Sequence, residues 1–228
     1  MRHLIIIFLA ALAAIGAKAQ PKYCLSYADF QADRWLPLDT LIIEEASSHA
    51  QVNWGVGQFK LRSRDKAVNK LLRKAVFAVA DGDTLLVNCK KLQIDNQVLG
   101  KGYTQAFRFN GNQLCFAAFQ SRDDMNGAML FGGFFGGVIG GAITAAIANE
   151  HNLKNMACYV TKIEFRSGQV KAVLIDDALM HNLLAGDEQL LATYLKPKEK
   201  VRNRATYVLP ILEQAGLITH QTPVQPAP

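Results

Sequence analysis

The chain is poor in the residues from which most active sites are built. Only four cysteines occur in 228 residues, and no two stand in a CxxC pair, which excludes the common zinc ribbons and dithiol redox motifs. Four thiols permit two disulfides in three connectivities, too few for a disulfide-built scaffold. Cys89, Cys115 and Cys158 sit inside apolar, strand-like runs, where a free thiol serves as a small hydrophobe. Histidine is nearly as scarce: His49, His151, His181 and His220 each stand without a second histidine or acid at ligand spacing, so no metal site is expected. The adjacent carboxylates Glu44-Glu45 and Asp176-Asp177 point apart on a strand or at a helix start and make no acid and base pair by themselves. The glycines of Gly55-Val-Gly57 and Gly100-Lys-Gly102 are followed by no Lys-Ser/Thr and complete no dinucleotide fingerprint. Catalytic, cofactor and metal residues are therefore expected to number none. Trp35, Trp54, Tyr103 and Tyr159 could stack against a sugar, but large aromatics more often fill a core.

Charge is also sparse. Half of the residues are hydrophobic and 19% are charged, enough apolar material for a sizeable core. The start, Met1-Arg2-His3 followed by the apolar run Leu4 to Gly16 and then Ala17-Lys18-Ala19, reads as a secretory signal peptide over residues 1–19, leaving Gln20 as the new terminus. The run is shorter than the roughly 20 residues that span a bilayer. The protein is thus expected to be exported, periplasmic or outer-membrane associated, out of reach of nucleic acid. The formal net charge is +6. Lys196 to Arg204 carries much of the visible excess and reads as a solvated helix face, or as a stretch that touches an anionic envelope surface.

One stretch has no charge at all. Met125 to Asn149 runs for twenty-five residues between Asp124 and Glu150, and seven of them are glycine. As a helix, Gly132, Gly136 and Gly140 align at four-residue spacing beside Gly133, Gly137 and Gly141, while Phe131, Phe135, Ile139, Ile143 and Ile147 form a bulky ridge. Small-xxx-small faces let backbones approach closely in membranes. At 1.5 Å per residue the stretch reaches about 37 Å, enough to cross a hydrocarbon core. The same helix could instead lie buried in a soluble core.

Around that stretch the pattern alternates between hairpins and helices. Ser26 and Asp29 mark a helix start, Thr40 to Glu44 and Gln58 to Arg62 read as strands, and Asp65 to Lys74 is an amphipathic helix with Val68, Leu71 and Leu72 on one side. Hairpins are expected around Asp81-Gly82-Asp83, around Asn110-Gly111 and around Arg166-Ser-Gly168. Asp176 and Asp187 cap two helices, and Lys198 to Ala215 reads as one helix kinked at Pro210 and stopped by Gly216. The expected fold class is α+β: antiparallel hairpins forming a sheet, a glycine-rich apolar helix inserted between hairpins, and a C-terminal helical segment. Its parts are residues 20–124, the glycine helix 125–149, residues 150–219 of the same domain and a proline-rich disordered tail 220–228.

The GGxxGGxxGG run is similar to the glycine-zipper segments of bacterial envelope proteins. The wider layout, with paired hairpins, a glycine-rich apolar insert, Leu183-Leu-Ala-Gly186 and Tyr207 to Leu212, resembles a family of uncharacterised exported bacterial proteins. That resemblance implies no activity and no site residues. Three functions are compatible with the sequence. The first is a non-enzymatic cell-envelope protein that associates with membrane lipid, or with itself as a homo-oligomer, through Gly132 to Gly141. The others are a soluble periplasmic ligand-binding module with the glycine helix in its core, and a hydrolase whose site is assembled from distant segments.

Overall fold

The computed structural model describes residues 20–47, 50–51, 57–119, 156–164 and 168–219. The expected signal peptide (1–19), the glycine-rich stretch with Gly132, Gly133, Gly136, Gly137, Gly140 and Gly141, and the expected tail (220–228) all lie outside these residues. In chain order the elements are β1 (Lys22–Cys24), α1 (Tyr27–Gln31), β2 (Leu36–Pro37), β3 (Ile42–Glu45), β4 (Phe59–Arg62), α2 (Lys66–Lys74), β5 (Ala78–Asp81) and β6 (Thr84–Asn88). A 3₁₀ turn (Cys89–Lys91) leads to β7 (Leu92–Ile94), β8 (Gln97–Val98), β9 (Tyr103–Phe109), β10 (Gln113–Phe119), β11 (Met156–Glu164) and β12 (Val170–Leu174). Four helices and a short strand close the chain: α3 (Asp177–Leu183), α4 (Glu188–Leu195), α5 (Glu199–Arg202), α6 (Ala205–Gln214) and β13 (Ile218–Thr219).

The fold class corrects the α+β expectation. The strands do not stay as separate hairpins on either side of an insert; they merge into one curled mixed sheet, a half-barrel carrying a few helices. Its main path runs β2-β1-β5-β6-β9-β10-β11-β12-β7-β8, with β3, β4 and β13 attached alongside. Two pairings make the difference. β10 and β11 are direct antiparallel neighbours, with Phe119 opposite Met156, so the long segment between them does not interrupt the sheet. β7 pairs in parallel with β12, Leu92 opposite Val170, which no hairpin signal announces.

Local chemistry still sets the elements. Ser26 accepts a bond from the Asp29 N–H at 3.0 Å, and Asp65, Asp176 and Asp187 accept from Ala67, Leu179 and Leu190, which satisfies orphan donors of the helices they open. Asn110 and Gly111 turn β9 into β10 with positive φ values of 46° and 79°. The helix expected from Lys198 to Ala215 is two helices, α5 and α6, separated at Asn203 and Arg204, and Pro210 sits within α6.

β5, β6, β10 and the first six residues of β11 are buried almost without interruption, so they do not alternate as β4 and β12 do. Leu85, Val87, Leu114, Phe116, Tyr159 and Leu92 join Tyr27 and Phe30 of α1 in one core that draws on strands from both ends of the sheet order. Only the concave face of a curled sheet can gather them. Ala78, Ala80, Ala106, Ala118, Ala157 and Ala172 stand among these large side chains, and small inward residues are what a tight curl requires. Inside, the Thr161 hydroxyl accepts the Leu114 N–H at 2.8 Å and shares a hydrogen with Tyr27 Oη at 2.9 Å. On the convex face, Cys115, Cys158 and Val160 pack under α3, α4 and α6 through Met180, Tyr194, Val208 and Leu212. A third cluster puts Leu72 of α2 over Val79, Leu86 and Tyr103.

The helices on the convex face are clamped at one point. Asp177 of α3 receives Tyr194 Oη of α4 at 2.5 Å and Arg202 Nε of α5 at 3.2 Å, and it forms an ion pair with Arg202. The Arg202 guanidinium, with help from Tyr194, holds the Asp177 carboxyl below its usual range. A depressed folded pKa contributes stability above the unfolded value of about 3.9, and that contribution disappears as pH falls through the folded pKa. Asp177→Asn is therefore expected to lower the melting temperature at pH 7 and to converge on the wild type in strong acid; a deficit independent of pH by calorimetry would exclude the ion pair as its cause.

Candidate functional site

Beside α2 the structure opens a cleft of about 670 Å³. Four segments of the chain meet there. β4 contributes Lys60 and Arg62, the polar positions of a strand whose Leu61 is buried. α2 contributes Lys66 and Arg73 from the side opposite its apolar stripe. Lys90 comes from the 3₁₀ turn and Lys101 from the residues just ahead of β9. All six side chains are exposed, and no aspartate or glutamate lines the cleft.

The floor beneath the cations is rigid and already bonded. The Tyr103 hydroxyl donates to the Leu72 carbonyl at 2.6 Å, and Asn88 Nδ2 donates to Val76 O at 2.9 Å, so the C-terminal end of α2 and the residues just after it are tied to the sheet. Asn88 Oδ1 accepts the Lys90 N–H at 3.1 Å, capping the 3₁₀ turn. Asn69 binds Ser63 twice, through N–H at 2.8 Å and C=O at 2.6 Å, and fixes the loop between β4 and α2. Around this floor, Lys90 Nζ reaches Arg73 O at 3.4 Å and Arg62 pairs with Glu44 of β3 at 3.2 Å. Burial raises the Tyr103 pKa, so its hydroxyl stays protonated as a structural donor.

The lining carries positive charge from six side chains and no carboxylate. The described thiols lack thiolate character where a shift is resolved: burial pushes Cys24 and Cys89 up to about 12, and Cys158 rises as well beside Cys115. All four cysteines are free and buried. Among the described residues no group of three or more His, Cys, Asp or Glu could hold a metal ion, and no helix is long and apolar enough to cross a membrane.

The residues singled out from sequence do not converge. Tyr159 is buried and stacks on Phe116 at 5.9 Å between ring centres, Tyr103 lies under α2, and Trp35 sits edge-on to Phe30, so they form no shared aromatic surface; Trp54 lies outside the described residues. Asp176 caps α3. Within the basic run, Arg202 is used by Asp177 and Pro197. His181 lies on α3, and His49, His151 and His220 fall outside the described residues. The cleft cations were visible in sequence only as the polar sides of a strand and a helix, and nothing local indicates that those sides face each other.

The described residues form a curled mixed sheet with a cationic cleft beside α2. The chain belongs to DUF6563, a family of unknown function whose match covers residues 22–219. Comparison with curated proteins and with solved structures gives no match.

Gly57 lies at the base of this region, donating its N–H to Lys101 O at 2.5 Å. A Cβ there would fall 2.5 Å from Tyr103 O and 2.6 Å from Cys89 Sγ, so the strand or the 3₁₀ turn would have to move. Gly57→Ala is expected to cost about 1–3 kcal/mol in urea unfolding, the scale of overpacking; a variant as stable as the wild type would show that the contact relaxes freely.

Proposed function

We propose that this is an exported, non-enzymatic binding module of the cell envelope that takes an anionic ligand in the cleft between β4, α2 and the 3₁₀ turn. The observation that carries the reading is the convergence of Lys60, Arg62, Lys66, Arg73, Lys90 and Lys101 on one cleft with no acid in its lining. Like charges held together repel, and an anion relieves that repulsion. Export rests on the basic, apolar and A-x-A pattern of residues 1–19. Tripolyphosphate is a suitable probe. By titration calorimetry the wild type is expected to bind it with an affinity that falls as salt rises, and Lys66→Glu with Arg73→Glu is expected to weaken binding at least tenfold. The same reversal at Lys198 and Lys200, outside the cleft, is expected to change little. Equal losses in both pairs would reduce the effect to net charge and count against the cleft.

A second reading concerns attachment. The uncharged stretch 125–149 would associate with membrane lipid or with a second copy through Gly132, Gly133, Gly136, Gly137, Gly140 and Gly141. Its support is the sequence pattern together with the pairing of Phe119 and Met156, the described residues that flank 120–155. Gly136→Leu with Gly137→Leu is expected to release the protein from carbonate-washed membranes or from its oligomer; unchanged fractionation and size would count against this attachment.

A further inference from the structure

We propose that the basic cleft is a membrane-surface site, docking the chain on the phosphate headgroups of anionic lipid. This rests on the anion-binding reading above and names the source of the anion.

The character of the cleft separates a lipid surface from a soluble ligand. A small anion held specifically needs directional donors, typically backbone N–H groups or arginine forks, with little freedom left to them. Here the directional groups of the floor are already engaged within the protein: Asn69 with Ser63, Asn88 with Val76 and the 3₁₀ turn, Tyr103 with Leu72. What faces outward is a set of exposed charges, four of the six on flexible lysine stems. Such charges suit a plane of many phosphates, where attraction sums over residues and no single geometry is required.

The neighbouring surface fits the same plane. In the β3–β4 register Ile42 stands opposite Arg62, so both project from the same face, and Ile42 is 44% exposed. An apolar side chain beside cations is the composition of an interfacial contact. Glu44 shares that face and is occupied by Arg62, while Asp65 at the start of α2 caps the Ala67 N–H.

Placement adds a third argument. Gln58, directly ahead of β4, donates through Nε2 to the Met156 sulfur at 3.9 Å and accepts the Gln105 N–H at 2.9 Å. Met156 begins β11 and lies opposite Phe119 at the end of β10. The cleft therefore shares an end of the sheet with the two strand ends that flank the uncharged glycine-rich sequence.

Vesicle co-sedimentation of the full chain tests this, with phosphatidylcholine vesicles with and without phosphatidylglycerol, and with tripolyphosphate as the soluble arm. The wild type is expected to prefer phosphatidylglycerol vesicles and to lose that preference at high salt. Each basic residue near an anionic surface is worth roughly a fivefold change in partitioning, so Lys66→Glu with Arg73→Glu is expected to weaken vesicle binding by about tenfold or more with thermal unfolding unchanged. Tripolyphosphate binding without preference for phosphatidylglycerol would overturn the membrane assignment and leave the anion site standing. Failure of both arms would remove the anion site and this inference with it. Vesicle binding that survives the double reversal would place the lipid contact elsewhere and overturn the proposal.

Discussion

The structure depends on the shortness of the link between β6 and β7. Those strands are far apart in the sheet order, separated by β9, β10, β11 and β12, yet only Cys89–Lys91 joins them in the chain. Three residues in a 3₁₀ turn rise about 6 Å, so the sheet has to curl until its fourth strand nears its ninth. The parallel pairing of β7 with β12 then completes what the link demands. An inward face bent that tightly leaves no room for uniformly large residues, and alanines interleave with Phe116, Tyr159 and Leu85 for that reason. The core is sealed by α1, whose Tyr27 reaches Thr161 and whose Phe30 lies under the Arg108 guanidinium at 4.6 Å.

The same link also builds the cleft. Asn88 ends β6 and caps the 3₁₀ turn, which turns Lys90 toward α2, and the Cys89 N–H bonds Gly102 O at 2.9 Å, which draws Lys101 alongside. Tyr103 then reaches Leu72 from below. The cleft is thus a consequence of how the sheet bends, and its cations are carried by elements whose buried sides belong to the core.

What the sequence made legible was local. Asn110-Gly111 and Asp81-Gly82 announce their hairpins because the positive φ of Asn110, Gly111 and Gly82 leaves few alternatives, and Ser26, Asp65, Asp176 and Asp187 announce helix starts because the orphan N–H groups need an oxygen nearby. What was not legible was pairing at a distance. Nothing in Leu92-Gln-Ile94 says that it will lie parallel to Val170-Lys-Ala172, and β1 and β13 are too short to show a period. The expectation of one helix over Lys198 to Ala215 failed because apolar spacing continues through Asn203 and Arg204 while the backbone does not. The cleft stayed hidden for a similar reason: Lys60 and Arg62 are explained locally as the solvent side of a strand, and Lys66 and Arg73 as the solvent side of a helix. Only the fold makes those two sides face one another.

Clustering of this kind is not what folding alone would select. Folding has no structural need to bring six cations around one opening, since like charges in proximity destabilise the compact state. Three arginines away from the cleft pair with nearby acids: Arg34 with Asp29, Arg108 with Asp33, Arg202 with Asp177. At the cleft the available acid is Glu44, which meets Arg62 alone. Departures from the local rule that charges are mixed tend to mark functional places, because the strain they carry is relieved when a partner arrives. A partner that balances this cleft brings negative charge, which is the reading its cationic lining supports.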